Sequence, residues 1–135
     1  MITHLRSVPV GLRVSEKLTL DYPELLALEA VNVEKELAIA KESLSTRVRE
    51  MMPAEIYEPT QTINAAYALF WAERLEKPVV VNPFHLAGFD TSGQQLLGIY
   101  ESVPGDPAHD CELIDRWAEY LKVRSWYSWL PYQAP

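Results

Sequence analysis

Residues 21–52 have the sequence DYPELLALEAVNVEKELAIAKESLSTRVREMM, which contains no Gly or Pro after Pro23 and is followed directly by Pro53. Asp21 is a suitable N-cap, because its carboxylate can accept hydrogen bonds from the unpaired amides of a first helical turn. Pro23 is tolerated near a helix start, since its missing N–H would have no partner there. This stretch therefore predicts one long helix, and the rest of the fold has to be arranged around it.

The apolar side chains of this stretch recur at steps of three and four, which indicates one buried stripe. We call this stripe the seam; its members, with Ala30 and Ala40 between them, are Leu26, Val33, Leu37, Leu44 and Met51. A continuous helix of this length would measure about 45 Å, whereas a compact globule of this size is roughly 37 Å across. The helix must therefore project or break, and a break is expected around Ser43, Ser45 and Thr46. The seam packs either on the body of this chain or against another chain.

Length and composition are those of one ordinary globular domain, which we expect to span residues 1–135. No apolar run is long enough to cross a membrane, and no basic segment followed by an apolar one marks a signal peptide. The chain has one cysteine, Cys111, which excludes an internal disulfide and fits a reducing compartment. The sequence therefore predicts a cytoplasmic protein without membrane contact.

The negative charge is concentrated in the second part of the chain. Residues 53–135 contain 11 acidic and five basic side chains, whereas residues 1–52 contain eight and seven. A nucleic-acid backbone would be repelled by the acidic part, so direct nucleic-acid binding is disfavoured. An acidic surface can instead attract a basic protein partner.

The stretches on either side of the predicted long helix favour strands as well as helices. Val8, Val10, Leu12 and Val14 alternate, which predicts an edge strand within residues 1–20, with an extended arm as the alternative. A second helix is expected over residues 61–76, after a loop at residues 54–60. A short strand is expected at residues 79–81.

A β-hairpin is predicted over residues 84–102, with its loop at residues 90–93, because DTSG has the composition of a turn. Asp106 followed by Pro107 then opens a third helix that runs to about Val123. We therefore predict an α+β fold, in which three helices, one of them long (about 21–52), pack with a small antiparallel sheet or β-hairpin.

The densest group of reactive residue types lies at the start of the third helix, where His109 and Cys111 stand among three carboxylates. The neighbouring acids disfavour a nucleophilic thiolate, and the spacing matches no known metal-ligand pattern. His85 and Asp90 could form an acid–base pair only if the chain bends between them. We therefore expect no catalytic residue, no metal site and no cofactor.

The C-terminal tail, residues 124–135, carries four aromatic residues of the types that anchor protein interfaces: Trp126, Tyr127, Trp129 and Tyr132. The alternative is that these rings pack back on the domain. We expect a small acidic binding protein that acts through protein–protein contacts, such as an inhibitor or immunity-type protein that masks a basic surface. A self-assembling structural component that uses the seam is the first alternative. A small enzyme with a pocket between the helices and the hairpin, using His85, Asp90 or Cys111, is the second.

Overall fold

The computed structural model describes residues 1–131, which form seven α-helices and four short 3₁₀ turns without any β-strand. The helices are α1 (Ile2–Asp21), α2 (Leu26–Glu42), α3 (Thr46–Met51), α4 (Ala54–Arg74), α5 (Asn82–Leu86), α6 (Asp90–Ser102) and α7 (Asp110–Tyr120). The 3₁₀ turns are Pro23–Leu25, Pro78–Val81, Pro107–His109 and Arg124–Trp126. The predicted α+β class, with its small antiparallel sheet or β-hairpin, is therefore wrong.

Helix α4 is the centre of the fold, because α1, α2 and α6 all pack against it. Its alanines allow close helix packing, and its aromatic side chains Phe70 and Trp71 fill the core. Helix α7 packs on α1 and α6, where Trp117 is fully buried and its Nε1 donates to the carbonyl of Leu96 at 2.9 Å. None of the helices within residues 1–131 has the length and apolarity needed to cross a membrane.

The predicted N-terminal strand or extended arm is a helix of 20 residues. The buried side chains of α1 include Leu5, Pro9 and Leu12, which are spaced by four and three residues and so lie on one helical face. The alternation of Val8, Val10, Leu12 and Val14 predicted one buried face of a strand, but Val14 is exposed. Burial of the Leu5–Leu12 face against α4 and α7 stabilises a helix in spite of Pro9, which lacks the N–H of a normal helical residue.

The predicted hairpin is replaced by α5 and α6, and the predicted turn at residues 90–93 is the first turn of α6. Gly93 is needed there for helix packing, because a Cβ at this position would lie 2.9 Å from the Cβ of Ala65 in α4. The predicted strand at residues 79–81 belongs to a 3₁₀ turn, and the predicted loop at residues 54–60 belongs to α4. Packing on α4 therefore decided helix over strand in this region.

The predicted long helix is divided into the 3₁₀ turn at residues 23–25, α2 and α3. The break lies at Ser43–Ser45, where the Ser43 hydroxyl donates to the carbonyl of Ala40 and the Ser45 side chain caps α3 by accepting from the amide of Val48. Gln61 of α4 also donates to the Ser43 carbonyl at 3.3 Å. These side-chain bonds satisfy backbone groups that the interrupted helix would otherwise leave unpaired.

The residues of the seam differ in their burial, because the predicted helix is broken. Val33 and Leu37 are buried against α4, and Leu26 and Leu44 are partly buried against the core. Met51 is 73% exposed on α3. Most of the seam is therefore a core contact of this chain.

Candidate functional site

The tail that follows α7 is attached to the domain through one carboxylate. Oδ1 of Asp115 accepts hydrogen bonds from the Tyr127 hydroxyl at 2.6 Å and from Nε1 of Trp129 at 2.8 Å. Nε of Arg124 lies 3.3 Å from the same oxygen and completes an ion pair. Because these three donors come from three positions along the tail, the carboxylate holds the tail over several residues rather than at one point.

The rings of the tail also support one another. The Tyr127 and Trp129 rings meet edge to face, with centroids 5.8 Å apart, and the Arg124 guanidinium lies over the Tyr127 ring at 4.9 Å. Aromatic pairs in this arrangement contribute about 0.5–1.5 kcal/mol beyond the area they bury. Tyr127 is half-buried. The predicted alternative, in which the rings pack back on the domain, therefore applies to this ring.

Three further tail side chains are open to solvent. Trp126 is 44% exposed, Trp129 is 41% exposed, and Leu130 is 86% exposed. We call these three residues together with Tyr127 the C-terminal aromatic surface. Tyr132, the fourth predicted partner-binding residue, lies outside the described residues.

A groove of about 250 Å³ adjoins this surface, between the tail and the start of α1. Its walls are mainly apolar: Ile2, Leu5, Arg6, Ile114, Tyr127, Ser128, Trp129 and Leu130. The groove extends the apolar contact area from the tail onto the folded domain.

Charged side chains of both signs lie beside the C-terminal aromatic surface: Glu119 is near Tyr127, and Arg6 lines the adjoining groove. Burial raises the pKa of Tyr127 well above its usual value, and the hydrogen bond to Asp115 and the nearby charge of Glu119 raise it further. Tyr127 therefore stays protonated and keeps donating to Asp115 at neutral pH. Arg124 is paired with Asp115, whereas Glu119 forms no ion pair within the described residues. The surroundings of the surface thus include the negative charge of Glu119 and the positive charge of Arg6.

His85 and Asp90 are brought together by the corner between α5 and α6. Nδ1 of His85 lies 2.6 Å from Oδ2 of Asp90, and this hydrogen bond lowers the pKa of the carboxyl group. The pair has the geometry in which a carboxylate orients an imidazole for proton transfer. Among the described residues, no serine hydroxyl and no thiol is hydrogen-bonded to this imidazole.

The cluster at the start of α7 is held by contacts between His109 and two carboxylates. Nδ1 of His109 lies 3.0 Å from Glu112, and its Nε2 lies 3.7 Å from Asp106. Cys111 is exposed. No group of three His, Cys, Asp or Glu side chains within residues 1–131 is arranged so that it could hold a metal ion.

A cleft of about 500 Å³ lies between α1, α4 and α6 and was not foreseen from the sequence. Glu16 is its main acceptor: Oε2 receives hydrogen bonds from Arg74 at 2.9 Å and from the Tyr100 hydroxyl at 2.8 Å. Arg13, which is buried, donates to Asp110 and to the backbone carbonyl of Val103. These contacts join α1 to the other helices and pair the charges of Arg13, Glu16 and Arg74.

Asp115 is the residue of this candidate site that the sequence did not reveal, because the pairing depends on where the tail turns back over α7. No local signal marks the turn after α7, because Lys122 adopts a φ of 62° at a position where Gly or Asn would be usual. No protein-family model matches this chain, and no curated protein or solved structure is significantly similar to it.

Proposed function

We propose that this chain is a small, non-catalytic binding protein that contacts a protein partner through the C-terminal aromatic surface. The observation that carries the proposal is the arrangement at Asp115, which holds the tail in place while the rings of Trp126 and Trp129 stay about 40% exposed. A tail that is ordered before binding loses less conformational entropy when the partner arrives. Exposed Trp and Tyr side chains on an ordered segment are typical of interface hot spots.

The partner that we favour has a basic surface. Glu119 gives the rim of the aromatic surface a negative charge, and residues 53–135 as a whole carry an excess of acids. Such a surface attracts a basic partner and increases its association rate. We therefore propose an inhibitor or immunity-type protein that masks a basic surface, without direct contact to nucleic acid. We also propose that it acts in the cytoplasm, where a reducing environment suits the exposed Cys111.

The test is affinity capture from a lysate of the source cells, with the complete protein as bait. Trp129→Ala should reduce the amount of captured partner by a factor of about 30 or more, as expected for a hot-spot residue worth at least 2 kcal/mol. Tyr120→Ala is the matched control, because Tyr120 is also 41% exposed but lies outside the C-terminal aromatic surface. Asp115→Ala should weaken capture while both tryptophans remain, since it removes the acceptor that orders the tail.

The proposal would be refuted if Trp129→Ala and Tyr120→Ala captured the same proteins in the same amounts. Raising the salt concentration should weaken the contact, because the charges at its rim are screened. Binding that is independent of salt would remove the basic partner from the proposal and leave only the aromatic contact.

Self-assembly is a second candidate, favoured by one observation on α2. Leu28, Val31 and Ile39 are more than half exposed and share the face opposite the buried seam residues Val33 and Leu37. An isologous contact through this face would make the mass depend on protein concentration, which light scattering measures. Val31→Glu should abolish that dependence. Leu86→Glu, at an exposed leucine of α5, is the control and should leave the dependence unchanged.

A further inference from the structure

The groove between the C-terminal tail and the start of α1, which we call the tail groove, has walls that are held in place. The Tyr127 hydroxyl and Nε1 of Trp129 both donate to Oδ1 of Asp115, at 2.6 Å and 2.8 Å, and so fix the two rings that line one side. Leu5 and Ile114, which are 1% and 4% exposed, belong to the packed core and line its inner side. The tail groove is therefore formed before any ligand arrives.

The charge at the tail groove is positive. Arg6 lines the groove from α1, is exposed, and forms no ion pair within residues 1–131. Among the described residues, no acidic side chain lines this groove. Asp115, which holds the tail, is already paired with Arg124. An anionic group is therefore the electrostatic complement of the tail groove.

The tail groove offers few hydrogen-bonding side chains. Tyr127 and Trp129 donate to Asp115, which leaves the Arg6 guanidinium and the Ser128 hydroxyl as the other polar side-chain groups of the lining. A peptide terminus would bring backbone N–H and C=O groups for which these side chains supply too few partners, and unpaired buried polar groups are costly. A hydrocarbon chain needs no such partners. The walls therefore favour an alkyl chain over a peptide.

The size of the tail groove limits the length of that chain. The volume of the groove is about 250 Å³. Since a cavity of roughly 150 Å³ holds benzene, and since one side of the groove is open, its capacity is an alkyl chain of roughly eight carbons. Each CH₂ group that is buried strengthens binding by up to about fourfold. The affinity should therefore rise with chain length until the groove is full.

We propose that the tail groove binds a free alkyl carboxylate of roughly eight carbons. The chain packs against Leu5, Ile114 and the Trp129 ring, and the carboxylate pairs with the Arg6 guanidinium. A guanidinium can hold a carboxylate through two parallel hydrogen bonds. The proposal does not rest on a protein partner at the C-terminal aromatic surface, because the ligand is a small molecule that is titrated alone.

The test is a titration of the complete protein with octanoate, followed by two-dimensional ¹⁵N NMR of the four tryptophan indoles. The Trp129 resonance is assigned from its absence in Trp129→Phe. The buried Trp117 indole, which donates to the carbonyl of Leu96, is the internal reference. We expect octanoate to shift the Trp129 resonance in a saturable manner. Butanoate should bind about tenfold more weakly or worse, because it lacks most of the chain, and octylamine should bind more weakly because its charge is reversed.

Two variants separate the charge from the apolar chain. Arg6→Gln should weaken octanoate binding by about two- to fivefold, as expected for an exposed ion pair, and leave the binding of octanol unchanged. Arg47→Gln is the matched control, because Arg47 is also exposed and forms no ion pair within residues 1–131. Ile2→Phe should fill part of the groove and weaken the binding of octanoate and octanol by about fivefold or more. Val14→Phe, at another exposed position of α1 and outside the groove, should not.

The proposal is overturned if octanoate does not shift the Trp129 resonance to saturation, or if octylamine binds as tightly as octanoate. It is also overturned if Arg6→Gln binds octanoate with unchanged affinity, or if the affinity does not rise from butanoate through hexanoate to octanoate. N-acetyl-glycyl-leucine represents the carboxyl terminus of a peptide, and tighter binding of this probe than of octanoate would replace the free acid by a peptide. Failure of these titrations leaves the affinity capture with Trp129→Ala unaffected, so the two proposals fail independently.

Discussion

The two glycines of α6 provide a direct test of how closely this helix approaches α4. Gly93 and Gly98 lie in the same helix, five residues apart. A Cβ added at Gly93 would lie 2.9 Å from the Cβ of Ala65 and 3.0 Å from the amide nitrogen of Ala66. A Cβ added at Gly98 would meet nothing within 4 Å among the described residues. Gly93→Ala and Gly98→Ala therefore make the same chemical change in two different environments.

The expected magnitudes follow from these distances. Alanine in place of glycine within a helix stabilises by roughly 0.5–1 kcal/mol, so Gly98→Ala should raise the free energy of unfolding by about that amount. Gly93→Ala gains the same term but forces carbon atoms about 0.5–1 Å closer than their optimal separation of 3.5–4.0 Å. Overpacking of this kind costs about 1–3 kcal/mol, since the rigid Ala65 side chain cannot rotate away. The two variants should therefore differ in stability by roughly 1–3 kcal/mol.

Chemical denaturation and thermal unfolding both measure this difference. For a chain of this length, 1 kcal/mol corresponds to roughly 3–5 °C in Tm. Gly98→Ala should melt above the unmodified protein, and Gly93→Ala should melt at or below it. The reasoning would be refuted if Gly93→Ala were as stable as Gly98→Ala, because α6 would then lie farther from α4 than the structure shows.

Three further predictions test the core and two titrating groups. Leu37→Ala should destabilise the protein by about 2–5 kcal/mol, because Leu37 is buried. Leu28→Ala, on the exposed face of the same helix, should change the stability by less than about 0.5 kcal/mol. If a denaturant titration showed equal losses of stability for the two variants, the assigned burial would be contradicted. Absorbance titration should show one tyrosine that ionises near pH 12 and is missing in Tyr67→Phe. Because the phenol of the unfolded chain ionises near pH 10, this group leaves stability unchanged below that pH and decreases it as the pH rises from about 10 to 12; a Tyr67 that ionises with the exposed tyrosines would disprove its burial. The pKa of Asp90 is lower in the folded protein than its unfolded value of 3.8, so the ionised carboxylate stabilises the fold above that pH, and this stability is lost as the pH falls through the folded pKa. The denaturation midpoints of the unmodified protein and of Asp90→Asn should therefore converge in acid. A constant difference between the two midpoints would contradict the His85 contact.

Helices with strong local signals could be predicted from the sequence. The predicted third helix is present as α7, and Asp106 caps the 3₁₀ turn before it by accepting from the amide of Ala108 at 3.0 Å. The aromatic and alanine residues over 61–76 also lie in a helix, α4. In both places, the capping residue or the residue composition favours helix before any tertiary contact forms.

The errors fall where local preference and tertiary packing oppose each other. Pro9 in α1 disfavours a helix locally, and DTSG at the start of α6 has the composition of a turn. Burial of Leu5 and Leu12 outweighs the first preference, and the close contact of Gly93 with Ala65 outweighs the second. A sequence pattern contains no information about which other helix is near. The sequence therefore predicts an edge strand or extended arm in the first region and the turn of a hairpin in the second.

The residues of the candidate sites divide in the same way. The sequence by itself determined the aromatic composition of the tail, the acidic balance of residues 53–135 and the apolar seam within residues 26–51. Only the tertiary structure decided that Asp115 holds Tyr127 and Trp129, and that Arg6 and Trp129 line the same groove. The reason is physical: composition and periodicity act within one helix, whereas these contacts join side chains far apart in sequence that meet only after α1, α7 and the tail have packed on the domain.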